Sequence, residues 1–413
     1  MGFRVTLAGM KRLLVVLMVL VVAACGGPDT PARSPRDRAA DSAAAVAALQ
    51  ASKFEDAQRE AGIALARDPR SSQAAAVRAI ATYQLAGHGL VKELSAIIRN
   101  ADKLTFFDHA GGRAAWQGFL TKLDAIDRDL AVVAADPSFS LELCIACWER
   151  DWNHSGQIDE RDRKLFELEF DGKGGEIPEG DPRRRPTFRF DVGDADWARA
   201  MISFQRAAGE LVLAYKWSDL DKLLSGDGPQ RLVIKLQDRE RVKRARELVL
   251  AGVGYADKCR TAYLAETDDD REWLPNPRQN NHPIPLDVDA ELYATWAGVT
   301  GDVRRMLQSE EGISMRELVG LADDDLKTRA PDAYIDFGKL LSEPKDIVID
   351  LATVLGHPDA AGVELALRGL LGNGYQTQML ASPLVGRLRQ MKGQLDRDED
   401  TFDRKLRYLF WLN

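Results

Sequence analysis

Histidine is scarce in this chain. The five present, His88, His109, His154, His282 and His357, include no metalloprotease pair and none beside an obvious nucleophile, so histidine-based hydrolysis finds no motif. Cysteine is scarcer still, with 4 in 413 residues. Cys144, Cys147 and Cys259 allow at most one bridge and one leftover thiol, too few for a disulfide-built scaffold. Positive charge is also in deficit, 56 Lys and Arg against 64 Asp and Glu, a formal charge of −8 that argues against nucleic acid as a partner. The apolar run at residues 13–24 falls short of the roughly 20 residues that span a bilayer. Strand signals are few, leaving a mostly helical class with minor β.

What is present begins with an address. Arg4, Lys11 and Arg12 precede the apolar run, which ends Val22-Ala23-Ala24-Cys25, small residues before a cysteine. That order reads as a secretory signal. It resembles the lipobox of bacterial lipoproteins, and the resemblance implies cleavage of residues 1–24, diacylation of the Cys25 sulfur and acylation of its new amino group. Gly26 stands where inner-membrane lipoproteins often carry Asp, which by the same resemblance favours the outer membrane. Loss of the three basic residues would take the formal charge from −8 to about −11.

Residues 25–40 follow as a lipidated cysteine and flexible tether, polar and carrying three prolines. Residues 41–135 form a helical region. There Ala48, Phe54, Ala57, Ala64 and Leu65, closed by Asp68-Pro69, are spaced as in the tetratricopeptide repeat. Asp41 departs from that pattern, and the next copy, through Tyr83 and Gly87, is partial. The resemblance implies helical hairpins able to hold a protein or peptide partner. A plain alanine-rich hairpin is the other reading.

Residues 136–413 read as a larger helical domain. Trp197, Met201, Phe204, Ala208, Leu211 and Tyr215 recur at helical spacing and are expected in the core, as are Val242, Ala245, Val249, Gly252, Ala256, Cys259 and Tyr263. Residues 187–190 and 232–236 alternate weakly and are expected as short strands. From residue 287 onward further amphipathic helices are expected. Cys144-Ile145-Ala146-Cys147 lacks the fold context of a redox motif, the following His of a haem site (Trp148 stands there) and two further zinc ligands, which favours a structural role.

The clearest chemistry lies at residues 151–162. Asp151, Asn153, Ser155, Asp159 and Asp162 place side-chain oxygens at positions 1, 3, 5, 9 and 12, Gly156 stands at position 6, and Gln157 offers its carbonyl at 7. Calcium takes six to eight oxygens at about 2.3–2.6 Å, and alternate side chains of a tight loop can converge on one centre. Gly156 permits the reversal, Ile158 is expected to turn into the core, residues 143–149 to enter as a helix and 160–170 to leave as one. The pattern resembles the EF-hand, and Asp162 at the last position makes it similar to the dockerin-type loop. A short terminal carboxylate and Ser155 at position 5 imply weak binding, roughly 10⁻⁴–10⁻³ M. The competing reading is an Asx-rich turn with Asp159 capping a helix.

No second loop matches. Asp191, Asp194 and Asp196 lack a central glycine and are expected to begin the Trp197 helix, and 268–270 reads as a solvated acidic turn. The glycines at 172–175 lack the rest of a phosphate-binding loop. Residues 143–215 are similar to uncharacterised bacterial lipoproteins, which implies no activity. The expected function is a calcium-binding envelope lipoprotein acting as a scaffold, its ion structural and its membrane contact made through lipid. The alternative is an envelope hydrolase whose acids meet only in the fold.

Overall fold

The structure, a computed structural model, describes residues 35–101, 108–152, 155–171, 175–220, 231–267, 271–280, 282–284, 288–319, 330–350 and 360–395. Cys25, Asn153, His154, His357 and residues 268–270 lie outside them. The chain divides into two compact units, Met1–Ala40 and Asp41–Asn413. Of the first, residues 35–40 are described and form the start of a helix, α1 (Pro35–Gln50), opening on a proline whose fixed φ suits the first turn. Everything below concerns the second unit.

Alanine shapes its front. Ala45 and Leu49 of α1 are buried, and the Ser42 hydroxyl donates to Gln73 Oε1. The chain turns at Ser52, whose φ is +59°, into α2 (Phe54–Arg67). Phe54, Ala57, Ala61, Ala64 and Leu65 line its buried face, and α2 stops where Asp68 and Pro69 follow. Next, α3 (Ser72–Ala101) runs thirty residues, passing Gly87 and Gly89 without a break, so no turn divides it where a second repeat would fold back. Methyl-sized side chains at Ala74, Ala75 and Ala81 let its neighbours approach closely. Asp108 caps α4 (His109–Ala134), its carboxylate accepting the Gly111 N–H at 2.9 Å. Arg78 ties α3 to α4 by a fork on Asp129, with Nε 2.8 Å from Oδ2 and Nη2 2.5 Å from Oδ1.

Beyond α4 the chain forms β1 (Leu141–Leu143), a 3-10 turn (Ile145–Cys147), α5 (Glu160–Lys164) and β2 (Phe188–Phe190). The two strands pair antiparallel, Leu141 with Phe190 and Leu143 with Phe188, so alternation buries those four side chains and leaves Glu142 outside. The long helices α6 (Val192–Ala214) and α7 (Arg239–Ala265) pack on each other, and α6 also packs on α4. Gly252 on α7 sets their approach, since a Cβ there would sit 2.5 Å from Phe204 Cε1. Gly209 does the same on the other side, 2.7 Å from Leu120 Cδ2.

Sandwiching α6 on two sides corrects the core face expected for it. Ile202, Ala207, Gly209 and Leu213 are among the buried positions, while Trp197, Met201, Phe204, Leu211 and, just past the helix, Tyr215 are half-buried and Ala208 is exposed. Of the face expected on α7, Val242, Ala245, Gly252, Ala256, Cys259 and Tyr263 are buried and Val249 is half-buried.

The expected strands form: β2, and β3 (Arg231–Ile234), which pairs with β6 (Ile347–Asp350). The final third is helical, with α8 (Ala290–Leu307), α9 (Met315–Val319), α10 (Phe337–Ser342), α11 (Ala360–Leu371) and α12 (Leu384–Leu395). It also holds a small sheet without a sequence signal, β4 (Ile313–Ser314), β5 (Tyr334–Ile335) and β7 (Tyr375–Gln376), whose strands are two residues long. The protein is therefore mostly α with minor β. Among the described residues no helix is long and apolar enough to cross a membrane.

Candidate functional site

Residues 151–162 form a loop closed at both ends by carboxylates. Asp151 draws the first half around itself: Oδ1 accepts the Ser155 N–H at 2.9 Å and Oδ2 the Gly156 N–H at 2.7 Å. Such a reversal needs positive φ, and Gly156 has +91°. Asp162 closes the second half, its Oδ1 accepting the Trp152 N–H at 2.9 Å and its Oδ2 the Asp159 N–H at 3.0 Å. Asp162 is only 2% exposed. Asp159 reciprocates by accepting the Arg161 and Asp162 N–H groups at 2.8 and 3.2 Å, a capping box on α5. Carboxylate oxygens carry two lone pairs each, so these bonds orient the groups without exhausting their capacity for a cation.

The remaining candidate ligands differ in their state. Ser155 Oγ donates to the Gln157 carbonyl at 2.9 Å, so two candidate oxygens are bonded to each other and the hydroxyl must rotate before both face a cation. Asn153 lies outside the described residues. Among the described residues no three His, Cys, Asp or Glu side chains form a metal-holding group.

Three expectations about the flanks are corrected. Ile158, expected in the core, is 40% exposed, because residues 155–161 lie at the surface while Asp162 turns inward and Trp152 packs against the core. Residues 143–149 do not enter as an α-helix: Leu143 belongs to β1, and a disulfide from Cys144 to Cys147 closes the 3-10 turn that follows. The exit helix is α5 alone, ending at Lys164, after which Leu168 is buried and Leu165 exposed. The cysteine pairing is local, and Cys259 is a buried free thiol.

Aromatic packing fastens the loop to the front helices. Trp148 meets Phe54 edge-on at 5.3 Å, Trp152 lies 6.4 Å from the same ring, and Phe166 meets Trp152 at 5.2 Å with perpendicular planes. Phe54 opens α2, so the first helical hairpin, the disulfide turn and the loop share one core.

A second group of ionisable side chains, whose proximity the sequence spacing does not give, lies where α6 begins and α7 ends. Asp191 and Asp194 form a capping box on α6, as expected of acids at a helix start. Asp194 is buried and accepts the Tyr263 hydroxyl at 2.6 Å, while Glu272 accepts Arg189 Nη2 at 2.7 Å. Glu266 faces these acids, and its Oε2 accepts Gln279 Nε2 at 3.4 Å. Burial, then the charges of Asp191, Glu272 and Asp194, pushes its pKa up to about 9. Burial, then the Asp191 charge, raises Asp194 as well. Glu266 and Glu272 are separated in sequence from 191–194, so no local spacing announced the cluster. Of the histidines, His282 holds the Ile284 carbonyl at 2.8 Å through Nδ1 in a loop.

An apolar groove lies between α3, α4 and α6. Ala79, Tyr83, Ile126, Leu130, Ala198 and Ile202 line it, around a small space of about 50 Å³. No family model matches the chain, and no curated protein or solved structure is similar to it.

Glu266 yields a pH dependence. A carboxyl with folded pKa near 9 against an ordinary 4.5 contributes stability that is complete below about 4.5 and is lost as pH rises toward 9. Melting temperature should therefore fall between pH 5 and pH 9 in the wild type and fall less in Glu266→Gln. Parallel profiles would show that Glu266 ionises freely in the fold.

Proposed function

We propose that this protein is a lipid-anchored, calcium-stabilised scaffold of a bacterial cell envelope, held at the membrane through Cys25. The calcium reading rests on one observation, the inward gathering of the loop by Asp151, which collects two amides around Gly156 at φ +91° while Asp162 ties the far end. A loop already curled in this way pays little ordering entropy when oxygens converge on a cation. The ligands would be Asp151, Asn153, Ser155, the Gln157 carbonyl, Asp159 and Asp162. Since the loop also shares the aromatic core of Phe54, Trp148 and Trp152, a bound ion would stiffen the join between the first hairpin and the rest.

The partner side of the proposal comes from the tetratricopeptide likeness within residues 41–135, since the groove between α3, α4 and α6, at about 50 Å³, is too small to hold a peptide by itself. That likeness is one of sequence spacing, and α1 and α2 would be its first repeat. A second reading, an envelope hydrolase, is favoured by Glu266, because a carboxyl that keeps its proton at neutral pH suits a general acid. The scaffold reading is preferred because Asp194 and Glu272 are engaged with Tyr263 and Arg189 inside the protein.

With a dissociation constant of roughly 10⁻⁴–10⁻³ M, 5 mM calcium should stabilise the full-length protein by about 1–2 kcal/mol, a rise of a few degrees in melting temperature. Asp151→Ala should abolish the rise, and a wild type indifferent to calcium would remove the ion from the account. For the anchor, Cys25→Ser should shift the protein from the detergent to the aqueous phase in a detergent partition. Unchanged partitioning would contradict lipidation.

A further inference from the structure

Three hydrogen-bond donors are buried without an acceptor around the Phe54 ring. Trp148 Nε1, Arg150 Nη1 and Trp152 Nε1 have no hydrogen-bond partner among the described residues. Folded proteins leave few such groups, because each costs about 1–3 kcal/mol, and more where the group is charged. Three within five residues ask for a common explanation. Trp148 is 2% exposed, so its indole N–H cannot be satisfied by bulk water. The Arg150 guanidinium lies over Phe54 at 5.1 Å and over Trp152 at 5.8 Å, and among the described residues it forms no ion pair. Burial lowers its pKa, opposed by the charge of exposed Glu55. Of the neighbouring carboxylates, Asp151 accepts the Ser155 and Gly156 amides, Glu149 lies 4.0 Å from Arg163, and exposed Glu55 acts on the guanidinium through its charge without a hydrogen bond among the described residues.

We propose that Trp148, Arg150 and Trp152 form a binding site for a small organic carboxylate. Indole and guanidinium nitrogens donate only, so the ligand must supply acceptors, and the guanidinium calls for a negative one. A planar carboxylate matches the guanidinium fork, and the Phe54 and Trp152 rings offer apolar surface for a short carbon chain beside it. Phosphate fits less well, because Arg150 is the single cation in the aromatic group. Trp148 is buried, while Arg150 and Trp152 are half-buried and so leave the group reachable from solvent. The proposal does not depend on calcium.

Sodium butyrate is a suitable probe, with butyramide as its uncharged analogue and sodium chloride and sodium phosphate at equal ionic strength as controls. Titrated into the full-length protein, butyrate should raise the melting temperature and shift tryptophan emission, saturating on the order of millimolar. Arg150→Gln should weaken the response about tenfold or more, and Trp148→Phe, which keeps the ring packing and removes the N–H, about fivefold by melting temperature. A response to butyramide or phosphate equal to that of butyrate, no response to butyrate, or wild-type affinity in both variants would overturn the site.

Discussion

Everything at the candidate site depends on one buried carboxylate. Asp162 sits at the start of a five-residue helix and accepts amides from both Trp152 and Asp159, ten and three residues back. With Asp162 in place, Trp152 is held where its ring meets Phe166 and Phe54, and the loop between is drawn into a closed curve. Hydrogen bonds to an ionised acceptor are among the stronger local ties, each contributing roughly 1.5–3 kcal/mol, and here two act from one side chain. The loop's helix-capping and cation-binding readings are therefore not rivals in geometry. The same bonds that cap α5 orient the oxygens that a cation would need.

The flanks give this loop a different support from a paired-helix hand. On one side a disulfide turn and β1 replace an entering helix, and on the other α5 makes little more than one turn. Rigidity comes instead from Trp148 and Trp152 packing on Phe54 at the start of α2, which joins the loop to the alanine-rich front. This arrangement suits a static clip better than a switch, since no pair of long helices is present to change its angle.

Parts of this were legible in sequence for identifiable reasons. The α7 face could be read from Val242 through Tyr263 because that helix buries one stripe, and β2 and β3 could be read from short alternating runs. The α6 face could not, because burial between α4 and α7 replaces a single apolar stripe with two contact faces built on Gly209 and Ala207 as much as on Phe204. Leu143 and the cysteines look helical by apolar spacing, but the bridge and the pairing with Phe188 override that preference. An inward Ile158 follows only from the EF-hand likeness of its position, and the surface course of residues 155–161 leaves it exposed. The acidic cluster of Glu266 and Glu272 with Asp194 is a product of tertiary packing alone, as are the orphaned donors around Phe54.

Amide hydrogen exchange at Trp152, Ser155, Gly156 and Asp159, measured on the full-length protein with and without calcium, tests the closed loop most directly. The account predicts slowed exchange at all four amides without the ion and further slowing with millimolar calcium. Exchange at the rate of an unfolded chain, or protection indifferent to calcium, would contradict it.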